Sequence, residues 1–172
     1  MNAKPSIVRA VELDIDSKRY PEIIRALAYW RAKRGDRPLP SRSDIDPLDL
    51  SIDLPRIMMA EVTHDPLEFR YRVAGTGTFR VHGEELTGKR PRDLQPPEFG
   101  MLIYGHYCEV VARRTPILHL IQLNVGEVAT SYARIILPLA SDGATVDRLL
   151  TVECYEDHMD SLQRFFEESQ DQ

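Results

Sequence analysis

Apolar residues recur at helical spacing in two long stretches of the chain. In the first, residues 18–34, the apolar positions include Ile23, Leu27 and Trp30, which lie three or four residues apart. The second, residues 98–114, follows two prolines and is apolar on nearly all sides. The pattern predicts one helix that packs through a single face and a later helix that is buried on both sides.

Alternation of apolar and polar residues predicts strands. In one segment Phe69, Tyr71 and Val73 alternate with charged residues, which is typical of a half-buried antiparallel strand. Asp142-Gly143 provides a hairpin turn before the last strand. The five predicted strands span residues 57–63, 68–73, 117–123, 129–139 and 146–155.

The remaining segments are shorter or irregular. Residues 1–16 show no clear period and are predicted to be a loosely held lead-in. Residues 35–55 are rich in proline and predict an ordered connector with one helical turn near 47–51. Residues 75–96 predict short helical fragments between glycines and prolines, and a short helix follows Asp157.

This order of elements predicts an α+β domain with a five-stranded antiparallel sheet, helices on one of its faces and flanking helices at both ends. Residues 1–55 are expected to form an N-terminal helix and connector that pack on the core. Residues 56–156 are expected to form the sheet domain, and residues 157–172 a C-terminal helix.

Composition narrows the class of protein. The chain has 172 residues, a formal net charge of −5 and a mean hydropathy of −0.34. We therefore expect a cytoplasmic single-domain protein that binds neither nucleic acid nor membrane, since the first needs a clustered basic surface and the second a long apolar run. Cys108 and Cys154 are far apart and form no CxxC pair, which favours reduced thiols and no metal site.

The sequence predicts no catalytic machinery. It contains no GxSxG, HExxH, GxxxxGK[ST] or GxGxxG pattern. Without a nucleophile, a metal-binding pair or a phosphate loop at the spacing that these reactions need, we expect the protein to act by binding and not as an enzyme.

The element order is similar to that of a PAS domain: a two-strand hairpin, a cluster of short helices, one long helix and a three-strand meander. The chain also resembles the small single-PAS proteins of Alphaproteobacteria over about residues 27–156. The residues that carry this second resemblance are Trp30, Arg34-Gly35, Leu39-Pro40-Ser41-Arg42, Asp44, Asp46-Pro47, Phe69-Arg70-Tyr71-Arg72, Gly75-Thr76 and Leu86-Thr87-Gly88-Lys89.

The resemblance implies a sensory or regulatory protein that binds a small ligand or a partner protein and signals through its flanking helices. A protein-interaction or dimerisation module with a filled core and no ligand is the alternative, and a haem-binding sensor or an unrecognised enzyme is less favoured. The cofactor stays unknown. Residues 75–97 hold no cysteine, which excludes the flavin-adduct class, and haem ligation by His106 on the long helix is the less favoured role of that side chain.

Candidate pocket residues follow from the faces of the long helix and of the strands. His106 and His119 fit either a structural or a ligand-binding role, and small residues near Ser131 leave room beneath the sheet. The predicted pocket residues are Tyr71, Phe79, Tyr104, His106, Tyr107, Cys108, His119, Ile121, Ser131 and Ile135.

The two terminal helices carry further apolar residues. These side chains either complete the core of the monomer or form the contact of a homodimer or of a partner protein. The interface candidates are Ile23, Leu27, Trp30, Phe165 and Phe166. The chain ends about 17 residues past the last predicted strand, so we expect its output to come from a partner.

Overall fold

A computed structural model describes residues 4–170 of the protein. Its helices and strands alternate in the order that the sequence predicts, with one additional strand at the start. The elements are β1 (Ser6–Leu13), α1 (Pro21–Arg34), β2 (Ile57–Thr63), β3 (Glu68–Ala74), α2 (Thr76–His82), α3 (Pro97–Arg113), β4 (Ile117–Val125), β5 (Val128–Leu139), β6 (Arg148–Cys154) and α4 (Met159–Gln170). Among these residues, no helix is both long and apolar enough to cross a bilayer.

The strands form one antiparallel sheet in the order β1-β4-β5-β6-β2-β3. The α+β fold class is confirmed, but the predicted number of five strands is wrong. The sixth strand is β1, which lies in the supposed lead-in and pairs with β4 from Ser6↔Asn124 to Leu13↔Leu118. Only two edges of the sheet exist, and β1 occupies one of them, where a strand needs little apolar alternation.

A bulge in the β2–β3 pair changes which face of the sheet Val73 occupies. The register shifts between Met59 and Ala60, so that Val73 pairs with Met59 while Tyr71 pairs with Ala60. Adjacent residues of β2 point to opposite faces, and Val73 therefore leaves the face that Tyr71 shares with the core. Val73 is 49% exposed, which corrects the uniform alternation expected of this strand.

Helices cover both faces of the sheet: the central helices lie on one face, as predicted, and the N-terminal flanking helix lies on the other. On the first face, which we call the α3 face, the Tyr107 hydroxyl of α3 lies 3.2 Å from Thr151 Oγ1 of β6. α2 and α4 lie on the same side, where Phe166 of α4 contacts Phe99 of α3. On the opposite face, α1 packs on β5 and β6. The alternating faces of β5 are both apolar enough to be buried, so each requires a cover.

The connector after α1 is held by specific contacts, although it is irregular. It forms three 3₁₀ turns, at Arg42–Asp44, Pro47–Leu50 and Leu54–Arg56, the second of which is the predicted turn. Asp53 is only 1% exposed and forms an ion pair with Arg25 of α1, with 2.6 Å between Nη2 and Oδ1. The connector is therefore tied to α1 before the chain enters β2.

Two glycines of α3 differ sharply in their surroundings, and this difference predicts opposite effects of alanine. A Cβ on the buried Gly100 would lie 2.8 Å from the Pro91 carbonyl oxygen, whereas a Cβ on the exposed Gly105 would have no atom within 4 Å. We expect Gly100→Ala to destabilise the protein by about 1–3 kcal/mol and Gly105→Ala to stabilise it by about 0.5–1 kcal/mol. Urea unfolding followed by Trp30 fluorescence measures both, and equal midpoints for the two variants would contradict the close packing of α3.

Candidate functional site

Three ionisable side chains form a row across the sheet beneath α3. Arg134 of β5 pairs with His119 of β4 on one side and with Glu153 of β6 on the other. Directly paired residues of antiparallel strands point to the same face, so the three side chains are neighbours. Arg134 is 1% exposed and the other two are 3% exposed. Charged residues are rarely buried this deeply, which makes the row the most unusual feature of the interior.

Arg134 is a buried cation with one polar side-chain partner. Its Nη2 donates a hydrogen bond to His106 Nδ1 of α3, at 2.5 Å, and its guanidinium carbon lies 6.0 Å from the centre of the Tyr107 ring. Its Nε is buried and has no hydrogen-bond partner within residues 4–170. No carboxylate in that range lies within ion-pairing distance of the guanidinium. The positive charge is therefore not matched by a direct counter-charge.

Two histidines stack beside this cation. The rings of His106 and His119 are 3.8 Å apart and nearly parallel, with an interplanar angle of 9°. Burial, reinforced by the charge of Arg134, lowers the pKa of His106 to about 2 and that of His119 to about 4. Both rings are neutral at physiological pH. His119 Nδ1 is also buried without a hydrogen-bond partner among the described residues.

Glu153 lies at the other end of the row. Its carboxylate accepts a hydrogen bond from the Tyr155 hydroxyl. Burial raises the pKa of Glu153, and the hydrogen bond from Tyr155 and the charge of Arg134 oppose this shift only in part. The environment thus favours the neutral carboxyl more than water does, which weakens Glu153 as a counter-charge for Arg134.

Aromatic rings close the space between this row and α3. Tyr71 of β3 and Tyr107 of α3 meet edge to face at 6.3 Å, and Phe69 meets Tyr107 at 5.3 Å. What remains is a cavity of about 10 Å³, whose lining includes Arg134 and Glu153. A cavity of this size has room for about one water molecule.

The fold agrees with a comparison of the chain with protein families. A family model for the PAS domain matches residues 19–152. The chain belongs to the PAS domain family. PAS domains are sensory modules, so the protein has a signal-sensing, regulatory role. None of the curated proteins compared with the chain matches it.

Solved structures with a similar fold include several Light-Oxygen-Voltage domains. One, studied with a flavin analogue, is 16% identical, with a TM-score of 0.49 over 75% of this chain and 98% of that one. An RNA-binding Light-Oxygen-Voltage receptor is 14% identical, with a TM-score of 0.49 over 97% of this chain and 44% of that one. A fungal Light-Oxygen-Voltage photoreceptor is 14% identical, with a TM-score of 0.43 over 67% of this chain and 95% of that one.

The interior of this PAS domain does not fit a flavin or a haem. Tyr71, Tyr132 and Arg134 line the remaining cavity of about 10 Å³, which is far too small for either ring system. Residues 75–97 contain no cysteine for a flavin adduct. His106, the candidate haem ligand, is stacked on His119 and accepts the hydrogen bond from Arg134.

The structure brings together some of the predicted pocket residues and separates others. Of these, Ser131 and Ile135 point to the face opposite α3, because they alternate with Arg134 along β5, and Phe79 is 51% exposed on α2. On the α3 face or on α3 itself lie Tyr71, Tyr104, His106, Tyr107, Cys108, His119 and Ile121.

Sequence reasoning missed the centre of the site. Arg134 and Glu153 are charged residues in strands, and a charged residue in a strand usually points to solvent. The one available signal is that Arg134 occupies the same alternate positions of β5 as Tyr132 and Ile136. Apart from Arg134, the positions in the series of Tyr132 and Ile136 are as apolar as the neighbouring positions such as Ser131 and Ala133, so either face of β5 could be buried.

The proposed interface residues lie in the core of the single chain. Trp30 is 3% exposed, and its Nε1 donates a hydrogen bond to the Pro138 carbonyl oxygen at 2.8 Å. Phe165 and Phe166 are 0% and 2% exposed. Ile23 and Leu27 are 1% and 4% exposed. Of the two alternatives for these side chains, packing within the monomer is the one that their burial supports.

Proposed function

We propose that this PAS protein is a non-catalytic sensory module whose signal is the occupancy of the space around Arg134, between the sheet and α3. The observation that carries the proposal is the buried guanidinium, which has an unpartnered Nε and lines the interior cavity. A buried charge without a counter-charge is costly and is retained where it has a function. A cytoplasmic location and a protein partner for the output belong to the same proposal.

Two contacts connect this site to the central helix α3 and to the N-terminal flanking helix α1. Arg134 is hydrogen-bonded to His106, so a ligand that engages the guanidinium competes for the bond that joins β5 to α3. On the other face of the sheet, the Pro138 carbonyl of the same strand accepts the hydrogen bond from Trp30 of α1. A shift of β5 therefore alters both helices, and a ligand that prefers one arrangement shifts the population toward it.

Native mass spectrometry of the purified full chain, combined with Trp30 fluorescence, tests this function. We expect the protein to carry a bound small molecule or ion, and its removal to change the emission of Trp30, the only tryptophan. Arg134→Met should abolish both effects. Arg80→Met is the matched control, because Arg80 is 62% exposed and pairs at the surface with Asp160. The proposal would be contradicted if the purified chain carried no ligand and if the fluorescence of Trp30 did not change when small molecules or ions were added or removed.

A second candidate function is a protein-interaction module, and an exposed apolar surface favours it. Leu48 and Ile52 of the connector are 76% and 70% exposed, beside a groove lined by Leu54, Met59 and Val73. Monomers seldom expose a contiguous apolar patch without a use for it. If this function holds, Leu48→Glu should remove a dimer or complex that native mass spectrometry detects, while the interior carries no ligand.

A further inference from the structure

We infer that the ligand of the interior is a small monovalent anion, held by Arg134 in the cavity between the sheet and α3. This inference rests on the proposed function and names the chemical class of its ligand. Three features of the structure support it: the unmatched charge of Arg134, its unpartnered Nε donor, and the size of the cavity.

The first observation is the charge balance. Arg134 is 1% exposed, its side-chain hydrogen bond goes to a neutral imidazole, and it forms no ion pair with a described residue. Its neighbour Glu153 is engaged by the Tyr155 hydroxyl, and burial raises the pKa of the Glu153 carboxyl toward the neutral form. The neutral histidines contribute no negative charge. Arg134 is therefore a buried charge without a direct ion-pair partner, and an anion would supply one.

The second observation is the set of donors. Arg134 Nε is a permanent N–H donor and is buried without a partner within residues 4–170. His119 Nδ1, on the paired position of β4, is also without a partner, but His119 does not line the cavity. The donor toward the cavity is therefore the guanidinium of Arg134, which binds an anion and not a cation.

The third observation is size. The cavity that Arg134 lines has a volume of about 10 Å³. Glu153 and His82 also line it, and the other walls are aromatic and aliphatic side chains such as Phe99 and Ile103. An ion the size of a water molecule fits this space without repacking the core. An organic anion of drug-like size does not fit, since such ligands occupy pockets of roughly 300–1,000 Å³.

The test uses bromide as the probe, because bromide is close to chloride in size and is visible by anomalous diffraction. The full chain is unfolded at constant ionic strength while bromide replaces gluconate, which is too large for the cavity. Above the dissociation constant, each tenfold rise in bromide should raise the folded-to-unfolded ratio by up to tenfold. Crystals grown in bromide should show an anomalous peak beside Arg134.

Three variants sharpen the result. Arg134→Met should abolish the bromide response, and Arg80→Met, at the surface, should keep it. Because Arg134→Met can also disturb folding, Glu153→Gln provides an independent measurement. It removes the negative charge that this carboxyl can carry beside the anion, so bromide should reach its half-maximal effect at a concentration roughly tenfold lower. The inference would be overturned if bromide stabilised the protein no more than gluconate does. It would also be overturned if the anomalous peaks lay only at the surface and marked an adventitious ion only. A neutral molecule bound in the interior would overturn it while leaving the proposed function intact.

Discussion

Replacing Phe165 by alanine is expected to destabilise the folded monomer by about 3–5 kcal/mol, the usual cost of deleting a buried aromatic side chain. Phe165 lies on α4, is 0% exposed and contacts the rings of Phe99 and Phe166 at 6.5 Å and 5.1 Å. Its removal leaves a void between α4 and α3 that the rigid strands beneath cannot close. Urea unfolding followed by Trp30 fluorescence gives the change in the free energy of unfolding.

Two controls distinguish a core role of Phe165 from a role in a dimer contact. Arg164→Ala changes the neighbouring residue, which is 52% exposed and pairs with Glu168 on the same helix, and should change stability by less than about 0.5 kcal/mol. The loss in Phe165→Ala should also be independent of protein concentration, because the contacts lie within one chain. A loss that grows on dilution would instead assign Phe165 to an interface between copies.

The order of the elements could be predicted because their local signals are strong. Pro97 at the start of α3 and Gly35 after α1, with a φ of 57°, mark the ends of the long helices. β1 has no such signal in its sequence. It is an edge strand whose side chains are largely exposed or half-buried, and such a strand tolerates polar residues on both of its faces. It forms because β4 offers an unpaired edge, and that edge exists only once the sheet has formed.

The candidate site could be predicted only in part, for a physical reason. Residue alternation divides β5 into two faces, but both are covered, and the sequence does not reveal which one lies under α3. The small residues around Ser131 lie on the other face, where Ala129 and Ser131 line a pocket of about 240 Å³. Arg134 was assigned to no pocket because a lone charge in a strand usually lies at the surface. In the folded protein its Nη2 donates a hydrogen bond to His106, a residue 28 positions earlier in the chain, and the sequence does not reveal this contact.

Acidification from pH 7 to pH 5 is expected to lower the free energy of unfolding by about 4 kcal/mol, mainly through two buried histidines. Burial lowers the pKa of His82 to about 3, and burial together with Arg134 lowers that of His119 to about 4. In the unfolded chain both histidines have a pKa near 6.5. Below that pH the unfolded state therefore binds protons that the folded state does not bind. Each contributes about 2 kcal/mol over this interval.

Two further groups modify this pH dependence in opposite directions. His106, whose pKa is lowered to about 2, adds to the loss, although its partial exposure makes its contribution smaller. Glu153 opposes the loss, because burial raises its pKa and the folded state then takes up a proton before the unfolded state does. A typical domain is stable by only about 5–15 kcal/mol, so the net loss is a large share of the total.

Urea unfolding at several pH values between 5 and 7.5, followed by Trp30 fluorescence, measures this dependence. His82→Phe keeps a ring against Phe166, which lies 4.1 Å away between ring centres, and removes one titrating group. Its stability at pH 7.5 reports the change in packing, while its slope below pH 6 should be smaller than that of the natural protein by about 1.4 kcal/mol per pH unit. His119→Leu should reduce the slope by a similar amount. A flat stability profile, or slopes that neither variant changes, would show that protons reach the interior without unfolding it, and the row around Arg134 would then be hydrated and not closed.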